Sequence, residues 1–260
     1  MRGTRSRPPA EQRFPPPSVM GVVNVTPDSF SDGGVHLEPE TAIASATRFL
    51  EEGASIVDVG GESTRPGSEG VSLQEELRRV VPVLEGLVGL PVSIDTAKAE
   101  VARRALALGV ELVNDVTALR GDPDLAEAVA EADAYVCLVH MRGEPRTMQR
   151  DPRYRDVSGE VAAFLEERLR FAVSAGIREE RILLDPGIGF GKTMAQNFEL
   201  VRRLDVVSRL GRPVVVGFSR KRSLGRLLGR QDATSGTTAA SIGAAVAAYG
   251  RGAAVLRAHD

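Results

Sequence analysis

Residues 182–192 read I-L-L-D-P-G-I-G-F-G-K. An apolar run ends in an aspartate, and a glycine-rich turn follows. So short an unbroken apolar run marks a strand buried on both faces, as in parallel sheets. Similar runs recur at 19–25, 55–59, 92–94, 111–113, 135–140, 214–216 and 253–256. Helical stretches lie between them. Pro39 suits a first helical turn, Ile43, Ala46, Phe49 and Leu50 form one stripe, and Gly53 can end it. Ser72 and Glu75 make a capping-box pattern, and Asp122 with Pro123 reads as a cap and a first-turn residue. Val161, Phe164, Leu165 and Leu169 form another stripe, closed by Gly176.

About eight alternations of strand and helix predict an α/β fold, a (β/α)8 TIM barrel. A doubly wound open sheet is the alternative. The sequence ends at Asp260, directly after the eighth run, so the barrel is expected to lack its final outer helix. Residues 18–260 are read as one domain. Residues 1–17 hold Arg2, Arg5, Arg7 and Arg13 among five prolines, and are read as a flexible tail. The Ala- and Gly-rich stretch 239–249 is expected to be buried against another helix, across a subunit contact or within the chain.

A chain of 260 residues can bury an ample core. Its net charge of -2 gives no bulk attraction to nucleic acid or to an anionic membrane. It has no apolar run long enough for a membrane span, and no signal-peptide core is visible. The single cysteine, Cys137, sits in an apolar run and is read as a buried thiol. No disulfide can form within the chain, which points to the cytoplasm. The only lysines are Lys98, Lys192 and Lys221; every other basic side chain is arginine. A lysine kept at a motif therefore hints at a specific task.

Polar residues gather where the apolar runs finish. Asn24, Asp58, Asp95, Asn114 with Asp115, His140 with Met141, Asp185, Ser219 with Lys221, and Arg257 with His259 stand at successive strand ends. In a barrel those ends surround one pocket. Ser219 and Lys221 are two apart, as are Arg257 and His259, and on an extended chain such pairs share a face. Arg257 with His259 would make an anion clamp. Asp95 and Asp185 can accept hydrogen bonds from the amino-pyrimidinone edge of a guanine-like ring, Asn114 can donate and accept, and Lys221 can donate. Asp185 equally suits a turn cap. The glycines at 187, 189 and 191, followed by Lys192, resemble a phosphate cradle, but not with Walker A spacing. These residues support a polar heterocycle plus an anion, and no more.

The motifs go further. They are N-V-T-P-D-S-F-S-D-G-G at 24–34, D-V-G-G-E-S-T-R-P-G at 58–67, S-I-D-T at 93–96 and N-D-V at 114–116. H-M-R-G-E-P-R-T-M-Q at 140–149, L-L-D-P-G-I-G-F-G-K at 183–192, G-F-S-R-K at 217–221 and R-A-H-D at 257–260 follow. With these, the chain resembles the dihydropteroate synthase family from about residue 19 to its end.

That resemblance implies condensation of p-aminobenzoate with 6-hydroxymethyl-7,8-dihydropterin diphosphate, giving dihydropteroate and diphosphate in folate synthesis. It implies a pterin ring against Asp95, Asn114, Asp185 and Lys221, with Asp58 and Met141 nearby. The diphosphate would lie near Asn24, Arg257 and His259, with Mg2+ on Asn24. p-Aminobenzoate would lie among Thr64, Arg65, Pro66, Phe190, Ser219 and Lys221. The loops at 24–34 and 58–67 would close over it, bringing in Phe30, Asp28 and Asp32. A homodimer formed through the late helices is also implied, and a missing eighth helix would weaken it. Rival readings are a Schiff-base aldolase on Lys221, a pterin-binding methyltransferase and a non-enzymatic binding barrel. No apolar pocket that would depress the basicity of Lys221 is evident in the sequence.

Overall fold

The computed structural model describes residues 7–26, 38–229 and 236–259. Eight strands, β1 (Ser18–Asn24), β2 (Ile56–Gly60), β3 (Val92–Asp95), β4 (Leu112–Asp115), β5 (Tyr135–Val139), β6 (Ile182–Asp185), β7 (Val215–Val216) and β8 (Val255–Ala258), form one sheet. Their order is β6-β5-β4-β3-β2-β1-β8-β7. Every pairing is parallel. A bridge from Leu184 to Val214 closes the ring, with Leu184 N donating to Pro213 O at 3.0 Å. The fold is therefore the barrel and not the open sheet.

The helices are α1 (Ala10–Arg13), α2 (Pro39–Glu51), α3 (Leu73–Gly86), α4 (Ala99–Ala107), α5 (Leu125–Glu131), α6 (Val157–Ser174), α7 (Met194–Arg202), α8 (Asp205–Ser208), α9 (Arg222–Leu227) and α10 (Thr238–Tyr249). Pro39 opens α2 as expected, and Gly53 follows it at φ 105°. Ser72 caps α3 by accepting from Glu75 N at 3.2 Å. The return half of that box is absent, because the Glu75 carboxylate turns to Arg78 and Arg79. Asp122 Oδ1 accepts from Asp124 N at 3.1 Å just before α5. Asp122 Oδ2 accepts from Ala99 N at 2.8 Å, at the start of α4. The complete capping box is at Thr193 and Gln196, opening α7. Among the described residues, no helix is long and apolar enough to cross a membrane.

Alternate strand residues point into the barrel, and their character changes along its axis. At the lower end Met20, Ile56, Leu112, Tyr135, Leu183 and Val255 belong to one apolar cluster, separate from the larger layer between strands and helices. Two residues further along β2, β4, β6 and β8 stand polar groups: Asp58, Asn114, Asp185 and Arg257. Cys137 is a buried free thiol in the inner cluster, as expected.

Residues 7–17 are not a flexible tail; they floor the barrel. Ala10 and Phe14 are fully buried in the inner cluster. Phe14 meets Tyr135 edge-on at 5.5 Å between ring centroids. Arg13 reaches Glu111 and Ser55 O, and the buried Arg181 holds Pro8 O at 2.6 Å. Ala10 and Phe14 thus plug the apolar lower end of the barrel.

The stretch 239–249 is covered only in part within the chain. Within the chain, Ile242, Val246 and Tyr249 on α10 are exposed, and only Ser241 and Ala248 of that helix are buried. Among the described residues β8 is the last element, and the groove between it and α10 is lined by Phe218, Ile242, Ala245, Leu256 and Ala258.

If Phe14 is the stopper of the lower end, Phe14→Ala should cost about 3–5 kcal/mol, the usual range for a buried aromatic. Urea denaturation reads this directly. A loss under about 1 kcal/mol would mean that the plug adds little to the barrel.

Candidate active site

The register of neighbouring strands assembles the deepest polar group. Asp58 stands opposite Ser93, and Asp95 opposite Asn114. Asp58 Oδ1 accepts from Ser93 Oγ and from Asn114 Nδ2, each at 2.7 Å. Asn114 is fully buried, and among the described residues its Oδ1 has no partner. A buried acceptor left without a donor is costly and invites one from a ligand. Burial raises the Asp58 carboxyl against the pull of Arg257, Ser93 and Asn114. Burial, and then the charge of Asp58, push Asp95 well above the usual carboxylate range. A carboxyl that keeps its proton can donate as well as accept, so the pair can match a ring edge carrying both kinds of group.

Asp185 serves two roles at once. Oδ1 accepts from Gly187 N at 2.7 Å, which is the turn cap. Oδ2 accepts from Arg257 Nη2 at 2.8 Å. Gly217 permits this: a Cβ there would stand 3.0 Å from Arg257 Nε. Arg257 is therefore already ion-paired with a carboxylate, besides standing two residues from His259. Arg257 lies on β8 itself, which runs two residues further than the sequence suggests, and it pairs with Asp185.

The spacing of Ser219 and Lys221 also misleads, because β7 ends at Val216 and Arg220 turns at φ 53°. Lys221 begins α9 as its N-cap and lays its Nζ 4.7 Å from the centre of the Phe190 ring. Both residues still reach the mouth, but Ser219 does so by accepting from His259 N at 3.2 Å. Burial, and then Arg257, lower the Lys221 ammonium to about 8. The basicity of Lys221 is thus depressed after all, contrary to the sequence-based expectation. His259 is lowered to about 4, first by burial and then by Lys221, Arg220, Arg257 and Arg65. Among the described residues its buried Nδ1 has no partner. A neutral histidine among four cations marks a place made for an anion.

Three loops meet above. Gly67 N donates to Pro145 O at 3.0 Å, joining the loop that carries half-buried Thr64 and exposed Arg65 and Pro66 to the loop after β5. Gln149 Nε2 donates to Gly189 O at 2.6 Å, joining that second loop to the glycine-rich turn. Met141 and Phe190 are buried in the inner cluster. His140 faces the other way. It is buried edge-on against Phe164 at 4.8 Å, so it is not a mouth residue. Asp115 also turns away, to cap Thr117 N and Leu119 N. Asp28, Phe30 and Asp32 lie outside the described residues.

Asn24, the last residue of β1, brings its Oδ1 to 3.7 Å from the point where a Cβ on Gly60 would stand. Asp95 Oδ2 is 4.0 Å from the same point. Among the described residues, no cluster of three His, Cys, Asp or Glu could hold a metal. One neutral oxygen donor nonetheless suits Mg2+, which keeps several waters and takes most of its other ligands from phosphate. Ser93 and Gln149 escaped sequence reading. Ser93 could have been found as the residue two before Asp95, on the same inward face.

Binding of diphosphate at this rim should raise the His259 pKa from about 4, because a nearby anion favours the imidazolium. NMR titration of the His259 ring with and without inorganic diphosphate measures it. An unchanged titration would move the anion site elsewhere.

Known proteins are similar to this chain in sequence and fold. The model of the family described as pterin binding enzyme matches residues 20–259. Dihydropteroate synthase of Neisseria meningitidis serogroup C is 46% identical, over 94% of this chain and 88% of its own. Xanthomonas albilineans dihydropteroate synthase with 4-aminobenzoic acid superposes with a TM-score of 0.85 at 50% identity, covering 94% of this chain and 88% of that one. The same enzyme in complex with 7,8-dihydropteroate gives 0.81 at 47% identity, with the same coverage of 94% and 88%. By sequence and by fold alike, the chain belongs to the dihydropteroate synthase family of pterin-binding enzymes.

Proposed function

We infer that this protein condenses p-aminobenzoate with 6-hydroxymethyl-7,8-dihydropterin diphosphate to form 7,8-dihydropteroate and diphosphate. The observation that carries this reading is the separation of charge along the barrel axis. Buried Asp58 and Asp185 lie deep beside half-buried Asp95, and Arg65, Arg220 and Lys221 act on His259 above them. A ring rich in N–H groups with an anionic tail is complementary to both levels. The family relatives named as dihydropteroate synthases support the same chemistry.

In this reading the pterin ring sits against Asp95, Asn114, Asp185 and Lys221, near Asp58 and Met141. The carbon–oxygen bond of the exocyclic methylene breaks, and the diphosphate leaves with the electron pair. Arg257 and His259 meet the charge that builds on it. Mg2+ held by Asn24 would add positive charge at the same oxygens when bound. Asp28 and Asp32 stay in the proposal as partners of the cationic pterin, by resemblance alone. The amine of p-aminobenzoate, seated by Thr64, Arg65, Pro66, Phe190 and Ser219, forms the new carbon–nitrogen bond and loses a proton. Closed loops keep water from capturing the cation.

The depressed basicity of Lys221 also suits a Schiff-base aldolase, but Lys221 Nζ lies over the Phe190 ring. A homodimer belongs to the proposal too. It is supported by Ile242, Val246 and Tyr249, which present one exposed apolar row on α10 at helical spacing.

Diphosphate release that requires p-aminobenzoate and yields dihydropteroate would establish the activity; release indifferent to p-aminobenzoate would refute it. In the same assay Arg257→Ala should lower kcat about 10²- to 10³-fold, the scale of a lost charge-stabilising donor. Affinity for the pterin ring without diphosphate should fall much less. An equal loss of both would assign Arg257 to holding Asp185 and not to the leaving group.

A further inference from the structure

Lys192 is almost wholly buried, yet it points at no substrate-facing group. Its Nζ lies 2.8 Å from His140 Nδ1, 2.9 Å from Gly187 O and 2.9 Å from Phe190 O. Three N–H donors thus meet three close acceptors, with His140 O a longer fourth at 3.4 Å, and among the described residues no carboxylate pairs with them. Burying an ammonium on neutral acceptors alone is expensive. Such an arrangement makes sense where those acceptors must be held in place.

The acceptors belong to the turn that carries Phe190. Gly187 and Gly191 have positive φ, and a Cβ on Gly187 would stand 1.8 Å from His140 O. The turn is therefore pressed onto the exit of β5, with Lys192 as the clasp. Phe190 in turn supports Lys221 Nζ at 4.7 Å.

We propose that Lys192 is a positioning residue, whose ammonium, clasped between His140 and the carbonyls of Gly187 and Phe190, sets the height of the Phe190 ring and with it the seat of the aryl amine. The proposal rests on the dihydropteroate synthase reading for its kinetic test. While Lys192 is an ammonium, Nδ1 must accept, so the clasp assigns His140 as the Nε2–H tautomer below about pH 7. His140 is held at about 2, by burial first and then by Lys192, Arg120 and Arg142, so it stays a neutral acceptor. Lys192 is held at about 7, by burial first, with Asp185 raising it and Lys221 lowering it. A neutral amine offers two donors and cannot satisfy three acceptors. The clasp therefore loosens as pH rises through about 7.

The test uses the full chain, with Lys192→Met, Lys192→Arg, Phe190→Ala and the double variant Lys192→Met/Phe190→Ala. Lys192→Met should raise KM for p-aminobenzoate about tenfold or more, with little change in KM for the pterin diphosphate. Lys192→Arg should not rescue it, because a planar fork cannot place three N–H groups on acceptors that converge on one point. The double variant should be no worse than Phe190→Ala alone; additive losses overturn the proposal. If Lys192→Met fails to fold, the unsubstituted chain decides. Its KM for p-aminobenzoate should climb from about pH 7, whereas a climb that begins only near 8 belongs to Lys221. Nitrogen-15 NMR of His140 needs no turnover, so it stands apart from the functional reading. An Nδ1–H tautomer there below about pH 7 would refute the clasp even in an active enzyme.

Discussion

The ion pair between Arg257 and Asp185 holds the rest of the site in place. It crosses from β8 to β6, over β7, which is only two residues long. Between β6 and β7 the sheet closes through the single bridge from Leu184 to Val214. The pair therefore spans the thinnest part of the wall. It also places a cation among carboxylates, since Arg257 acts on Asp58 and Asp95 as well. Removing one member of a buried pair typically costs about 3–5 kcal/mol, because the other charge is stranded. Here the stranded group would be Asp185, which is fully buried and caps the glycine-rich turn.

With that cation fixed, the two levels of the pocket follow. The lower level is acidic and short of donors: among the described residues Asn114 Oδ1 has none, and burial drives Asp95 toward its neutral form. The upper level is cationic and short of anions, as the depression of both Lys221 and His259 records. Each level is unfavourable by itself in a low-dielectric space. A ligand with a donor-bearing ring and a negative tail relieves both at once. Stability is given up at the mouth and recovered on binding, an arrangement common at functional sites.

The barrel was legible because eight buried strands must each be apolar on both faces, and the inward period of two then aims Asp58, Asn114 and Asp185 at the same space. Spacing failed where the backbone leaves the extended form. Ser219 and Lys221 cannot be read as a strand pair across Arg220 at φ 53°. His140 and Asp115 stand at strand ends but fall on the outward parity. The floor built by residues 7–17 was illegible for another reason. Its partners, Glu111, Tyr135 and Arg181, are distant in sequence, and proline-rich composition carries no trace of them. Asp122 belongs with these, since it caps a helix that precedes it in the chain.

The turn at 185–192 separates resemblance from mechanism most clearly. Its glycines suggest a cradle in which backbone N–H groups would face a phosphate. The amides of Gly187, Gly189 and Phe190 are already used, by Asp185 Oδ1, Asn197 Oδ1 and Gly187 O respectively. Its carbonyls are used too, by Lys192, Gln149 and Tyr154. The glycines serve instead to let the chain turn against β5 with no room for a Cβ. With those amides spent, the turn is a rigid platform for Phe190. An anion at this mouth then has to be met by side chains, and the four cations around His259 are in position to do so.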